Sequence, residues 1–392
     1  MRLEDNPGRR RFMSTLAAVF GAANLAPLEL RARDPFQAPA TPEGVPDGPP
    51  PDYDKMVKLA ANENPYGPSE AVMEAMTEVW KYANRYFYPD GGIVQSIADL
   101  HGVKPENVLL GAGSAEVLKA ADDAFLPDHR KVVGVDPTFE TVYRFATNSQ
   151  AQALTVSLGK DFAVDMKEII RVTKLNARDV GLVYICNPNN PTGNVIQKDD
   201  IRLLLDSIPE EIPVLIDEAY HHFVDSPDYE SSMKYVAEGR KVLVTRTFSK
   251  IAALAGMRLG YGIALKEVIQ QMRPVIYGSG LNALVKYGGV AALKDTRYEA
   301  KVKELNRQNR EKTMTALKSM GFELIPSQTN FFMVNVKRDA AQVGDEFRKR
   351  NILVGRKFPP MNEWLRVSIG SASDMERFLK AFKEIFPSGP AA

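Results

Sequence analysis

Cysteine is nearly absent from this 392-residue sequence: Cys186 stands alone, so no intramolecular disulfide can form and a cysteine-based zinc site is excluded. Histidine is almost as scarce. Of His101, His129, His221 and His222 only the last two are neighbours, and adjacent residues do not chelate from one helix face, so the four make a poor metal set. An excess of either charge is missing too. Lysine plus arginine number 50 against 49 aspartates and glutamates, and a net charge of +1 gives no reason to expect nucleic acid or acidic lipid as a partner. No apolar run is long enough to span a bilayer. What remains is 44% hydrophobic, the composition of a soluble globular protein, on a chain longer than one core usually supports, so two lobes are expected.

The N-terminus differs from the rest. Arg9-Arg10-Arg11-Phe12-Met13-Ser14 precedes the moderately apolar stretch 15–23, and the pair resembles a twin-arginine export signal over residues 1–30. Such a signal carries folded proteins, so it implies export machinery as a partner and a periplasmic or exported destination. The alternative is a basic tail on a cytoplasmic protein. Ala38-Pro39-Ala40 has the spacing of a cleavage site but lies far downstream, which leaves cleavage and membrane anchorage both open. Residues 31–54 read as a linker dense in proline and glycine.

From Lys55 onward, short β-branched runs alternate with longer amphipathic stretches, the pattern of a mostly parallel sheet with crossover helices. The spacing predicts strands over 107–110, 131–135, 181–185, 214–216 and 241–245. Most are followed directly by polar residues, and in open α/β sheets ligands sit beyond the carboxyl ends of the strands. Residues 281–320 read as one long helix or two, leading to a smaller α+β lobe with strands over 322–325, 330–334 and 364–369 and helices over 340–350 and 373–385. The expected division is 55–80 as a segment packed near the small lobe, 81–285 as the large lobe and 286–392 as the small one.

Within this frame Thr247-Phe248-Ser249-Lys250, ahead of a glycine-punctuated run ending at Arg258, is the chemical focus. A desolvated lysine can hold a carbonyl cofactor as a Schiff base, and Ser249 with Arg258 can hold a phosphate on the same ligand. Asp217 ends an apolar strand, where a buried charge needs a partner such as a pyridinium; a helix cap is the alternative. Tyr220 is either a donor to the cofactor's ring oxygen or an ordinary half-buried tyrosine. The turn 187–193 is stiffened by Pro188 and Pro191 and can hold an asparagine amide immobile. Gly111-Ala112-Gly113-Ser114 opens a helix whose backbone amides can face a phosphate, although many such turns bind nothing.

Read in order, Ala61-Asn62-Glu63-Asn64-Pro65-Tyr66-Gly67, Tyr88-Pro89-Asp90, the 111–116 turn, Pro137-Thr138-Phe139, Asn189-Asn190-Pro191-Thr192-Gly193, Asp217-Glu218-Ala219-Tyr220, Ser249-Lys250 with Arg258, and Arg366-Val367-Ser368-Ile369-Gly370 form a series. The chain from Lys58 onward thereby resembles the fold-type I, class I/II pyridoxal-phosphate aminotransferases, in their histidinol-phosphate aminotransferase-like branch. The resemblance implies pyridoxal 5'-phosphate as cofactor and a ping-pong exchange between an amino donor and a 2-oxo acid. It implies Lys250 as Schiff-base lysine and proton carrier, and Asp217 at the ring nitrogen. Asn190 and Tyr220 would then meet the ring oxygen and Phe139 the ring face, with Ala112, Gly113, Ser114, Thr247, Ser249 and Arg258 at the phosphate. It further implies a homodimer in which Tyr88 reaches the neighbouring subunit's phosphate. Arg366 and Arg356, with Asn64 and Tyr66, would bind substrate. Free amino acids and an amino alcohol phosphate such as histidinol phosphate are both open as donors. Decarboxylation or elimination on the same fold, and a non-catalytic binding role, are the rival readings.

Overall fold

The first described strand, β1 (Val57–Leu59), pairs in parallel not with its neighbours in sequence but with β11 (Ile352–Val354), almost three hundred residues on. The computed structural model describes residues 52–148, 150–276 and 280–390, all within one unit spanning Pro49–Ala392. The signal-like segment and nearly all of the linker lie outside the described residues. No helix among the described residues is long and apolar enough to cross a membrane.

Seven strands form the central sheet: β2 (Val108–Gly111), β3 (Lys131–Asp136), β4 (Gln152–Ser157), β5 (Val180–Cys186), β6 (Val214–Asp217), β7 (Val242–Thr247) and β8 (Gly260–Ile263). Their order is β2-β8-β7-β6-β5-β3-β4, and only β8 runs against the others. The α/β class with a mostly parallel sheet is therefore as the sequence led us to expect. Every residue of β5, β6 and β7 is buried, because helices cover both faces; the strands are near-continuous apolar runs rather than alternating, and β6 and β7 turn polar only at their carboxyl ends, with Asp217 and Thr245-Arg246-Thr247. A smaller antiparallel sheet of β9 (Glu323–Ile325), β10 (Phe331–Asn335) and β12 (Trp364–Ser368), in the order β12-β10-β9, packs its own core against the helix Ala372–Ile385.

The helical region 281–320 is two helices, Ala283–Lys294 and Thr296–Ser319. Asp295 divides them: its carboxylate accepts the N–H of Tyr298 at 3.0 Å and so caps the second helix at the point where the first ends. The β8 strand carries two glycines in four residues and escaped the pattern for that reason. A Cβ on Gly260 would lie 2.2 Å from the backbone nitrogen of Ser114, so only glycine lets this strand pass under the turn that opens the helix Ser114–Phe125.

Candidate active site

Strands β5, β6 and β7 deliver their carboxyl ends side by side, with Cys186 opposite Asp217 and Asp217 opposite Thr245. Asp217 is only 2% exposed. One carboxylate oxygen accepts the N–H of Ala219 at 3.1 Å and the hydroxyl of Thr245 at 3.2 Å, and both partners are neutral. Burial pushes the carboxyl up to about 6, since its hydrogen bonds and the more distant Lys250 only partly offset the loss of water. A cation placed against it would reverse that cost.

Three residues on, Tyr220 is buried edge-on against Phe331 with ring centres 5.0 Å apart, and its phenol oxygen accepts the Asn62 amide at 3.0 Å. Burial raises the phenol well above its ordinary range, so it keeps its proton and remains a donor. Behind this end of the sheet, Glu218 and Arg246 form a buried ion pair at 2.8 Å; Glu218 also accepts the N–H of Ser232 at 2.6 Å, which ties the ends of β6 and β7 together.

Beyond β7 the Thr247 hydroxyl accepts the N–H of Ser249 at 3.0 Å and bends the chain toward Lys250. The Lys250 Nζ donates to the carbonyl of Ala61 at 3.0 Å and lies 5.6 Å from the centre of the Tyr220 ring. The residue keeps partial exposure along its length, yet its amine is enclosed enough for desolvation to lower it to about 8. That value already includes the nearby Arg366 charge, which also lowers it, and Glu63 and Asp217, which oppose. A lysine in this range has a neutral fraction able to attack a carbonyl carbon near neutral pH.

An anion cradle lies next to the lysine. Arg258 has a left-handed backbone (φ 61°) that turns its guanidinium back, so that it donates to the carbonyls of Ala255 at 2.8 Å and Ala112 at 3.2 Å and to the Ser249 hydroxyl at 3.4 Å. Gly113, at φ 79°, precedes the helix Ser114–Phe125, and a Cβ built on it would lie 2.1 Å from Arg258 Nη2. A helix N-terminus, a hydroxyl and a guanidinium thus stand together as a phosphate requires, while the Ala112 N–H itself donates to the Glu116 carboxylate at 2.6 Å. Gly113→Ala should weaken pyridoxal-phosphate binding about 5- to 150-fold, from strain of ~1–3 kcal/mol at this turn, as read by absorbance titration of the cofactor-free protein. Unaltered affinity would mean that no phosphate rests on the turn.

The small sheet supplies the opposite wall. Arg366, on β12, is buried; its Nη1 donates to Asn190 Oδ1 at 2.6 Å and its Nη2 to the carbonyl of Ala60 at 2.7 Å, while Nε has no hydrogen-bond partner among the described residues. Burial lowers the guanidinium to about 10, still cationic at neutral pH. Of the three asparagines in the turn after β5, Asn187 is tied to Ile196 and Asn189 is spent locally on Thr138, Pro137 and Thr192, which holds Asn190 toward Arg366.

The remaining expected residues are more scattered. Phe139 is half-buried, with its carbonyl accepting from Tyr184 at 3.2 Å. Asn64 donates to the carbonyl of Ile251 at 2.9 Å, and the Tyr66 hydroxyl accepts from Asn309 at 3.3 Å, so both brace the loop after Lys250 and the helix Thr296–Ser319. Arg356 is held by Glu140 at 2.8 Å. Tyr88 is not brought to this chain's cradle: its hydroxyl donates to the carbonyl of Leu281 and its ring stacks on Tyr82 at 6.2 Å. Asn62 had no role assigned from sequence. At φ 55° it bonds the Ser368 hydroxyl through its N–H at 2.9 Å and through its side-chain oxygen at 2.8 Å, and carries Tyr220 on its amide. An asparagine tolerates that backbone region, but nothing in the local sequence signals that it is occupied here.

These residues fit pyridoxal 5'-phosphate: a buried carboxylate with no cation hydrogen-bonded to it among the described residues, an enclosed lysine and an anion cradle stand together at the strand ends. Fold and site define a pyridoxal-phosphate-dependent transferase of fold type I. The sequence profile of the class I and II aminotransferases matches residues 54–382. The chain is 34% identical over 337 residues to the histidinol-phosphate aminotransferase of Moorella thermoacetica, covering 84% of this chain and 85% of that protein. It is 34% identical over 340 residues to that of Caldicellulosiruptor saccharolyticus, covering 85% and 92%. The fold matches the crystal structure of the histidinol-phosphate aminotransferase from Sinorhizobium meliloti in complex with pyridoxal-5'-phosphate at a TM-score of 0.79, with 23% identity and 85% and 91% of the two chains covered. The chain belongs to the class I and II aminotransferase family. Its cofactor is pyridoxal 5'-phosphate and its reaction is amino-group transfer, which sets aside the decarboxylase, lyase and non-catalytic readings.

Proposed function

We propose that the amino donor is an α-amino acid whose carboxylate is gripped by Arg366, with a 2-oxo acid as acceptor. The observation that carries this is the buried Arg366 guanidinium, still holding an unpartnered Nε, within reach of Asn190 at the site. Bound pyridoxal phosphate supplies an aldehyde that takes up the amino group and a ring that accepts the electron pair released at the substrate carbon. Around it, Lys250 Nζ would hold the cofactor and move the proton, and the Asp217 carboxylate would keep the ring nitrogen protonated. Tyr220 and the Asn190 amide would serve the ring oxygen and Phe139 the ring face. Ala112, Gly113, Ser114, Thr247, Ser249 and Arg258 would hold the phosphate.

A second reading, histidinol phosphate as donor, is favoured by the names of the relatives. Against it, Arg356 is already engaged by Glu140. Absorbance of the loaded protein, followed in single turnover with histidinol phosphate and with aromatic, acidic, basic and aliphatic amino acids in turn, separates the two. Conversion by free amino acids is expected; conversion by histidinol phosphate alone would replace the first reading with the second. Arg366→Lys should lower kcat/KM for amino acids roughly 10- to 150-fold, the loss of a charged hydrogen bond worth ~1.5–3 kcal/mol, without altering the cofactor spectrum.

The reading extends to assembly and location. A homodimer with shared sites is supported by the 92% and 103% exposure of Tyr86 and Phe87 beside Tyr88. Residues 81–285 and 286–392 would act as large and small lobes closing on the site, and the twin-arginine-like segment would direct export.

A further inference from the structure

Arg356 stands just after β11, ten residues ahead of Arg366, and the two guanidiniums lie 4.3 and 4.7 Å from the centre of one buried ring, Phe358. They are close enough for Arg356 to help lower the Arg366 guanidinium. The Arg356 Nη1 donates to the carbonyl of Lys357 at 2.9 Å, and its Nη2 donates to Glu140 Oε1 at 2.8 Å. Glu140 comes from the opposite side of the site, one residue after Phe139 and immediately before the helix Thr141–Asn148. The second cation of the pocket therefore already carries a carboxylate, and that carboxylate belongs to the protein.

We infer that Glu140 is a specificity-determining residue: by engaging Arg356 it occupies the position a second anionic group of the donor would take. Donors whose only anionic group is one carboxylate, held by Arg366 alone, are accepted as they are. An acidic amino acid must displace Glu140 with its second carboxylate, and a phosphorylated amino alcohol, whose single phosphate is bulkier and carries close to two negative charges, meets the Glu140 charge nearby. The inference rests on the reading of Arg366 as carboxylate anchor. The side chains of Arg356 and Glu140 are 33% and 41% exposed, so the bridge is of the weak, screened kind and discriminates rather than blocks. Exchange of one carboxylate for another on the same arginine is nearly even, and the repulsion sets the sign.

The test uses the cofactor-loaded full chain and kcat/KM for leucine and phenylalanine against glutamate and histidinol phosphate. Glu140→Gln, nearly isosteric, should raise the ratio of dianionic to monoanionic donors roughly three- to fivefold, mainly through KM. Arg356→Gln should lower the same ratio below that of the parent, since it leaves Glu140 unpaired. A ratio unmoved by Glu140→Gln overturns the inference even if Arg366→Lys behaves as expected. If instead Arg366→Lys leaves every donor unaffected, the anchor reading fails, and the Glu140→Gln ratio still reports on Glu140 by itself. A general loss of folding would lower all four donors together and leave the ratio where it was, which also counts against the inference.

Discussion

Lys250→Ala should abolish steady-state transamination, with kcat falling by at least about a thousandfold, while circular dichroism and thermal unfolding stay close to the parent. The size follows from two losses at one atom: in the proposed mechanism Nζ would be both the covalent anchor for the cofactor and the base at the substrate carbon. The fold survives because Nζ makes one hydrogen bond, to the carbonyl of Ala61, and because removing a partly desolvated amine costs the core little. Other lysines cannot take over. Tyr220 lies 5.6 Å from this one and the Asp217 and Arg366 charges act on it, and a proton transfer depends steeply on position. Full activity in the variant would remove Lys250 from the mechanism.

Asp217→Asn is expected to lower kcat by about a hundred- to several-thousandfold, corresponding to ~3–5 kcal/mol for breaking a buried charge pair. Asparagine can still accept from the Ala219 N–H and the Thr245 hydroxyl, so the change isolates the charge. A cofactor analogue methylated at the ring nitrogen, whose positive charge cannot be lost, should restore part of the rate. Stability should move the other way. Burial raises the carboxyl to about 6 in the folded chain, so its contribution to stability is full below the ordinary carboxylate range and is lost as pH rises through about 6. At pH 7 the cofactor-free asparagine variant should therefore unfold at a higher temperature than the parent. Near-normal kcat would place the cofactor nitrogen elsewhere, and a lower unfolding temperature would show that the carboxylate is stabilised by something other than the bound ring.

The central strands were legible because helices cover both faces of the sheet, and a doubly buried strand reads as a near-continuous apolar run: 180–186, 214–216 and 242–244 are of this kind, with polar residues only where β6 and β7 reach the site. Edge and short strands were legible only in part: 107–110 and 322–325 anticipate β2 and β9 to within a residue, while four others carried no signal. In β4 every residue but one is half-buried or exposed, β8 is half glycine, and β1 and β11 have three residues each and are specified by their pairing with each other. The break at Asp295 was readable in principle as an N-cap, yet the apolar periodicity runs through it on both sides.

Lys250, Asp217, Tyr220 and Arg258 could be singled out from the chain alone because each chemical demand there is local. A strand end sets the carboxylate, a hydroxyl turn sets the lysine, and glycine beside a helix start sets the cradle. Contacts between distant parts of the chain belonged to the tertiary structure. Asn62 on Tyr220 spans 158 residues, Arg366 on Asn190 spans 176, and Glu140 on Arg356 spans 216. A hydrogen bond between distant segments leaves no periodicity in either of them, since its two ends meet only after the sheets have packed. That is why the reaction type could be read from residue order, while the setting of Arg366 and Arg356 came from folding.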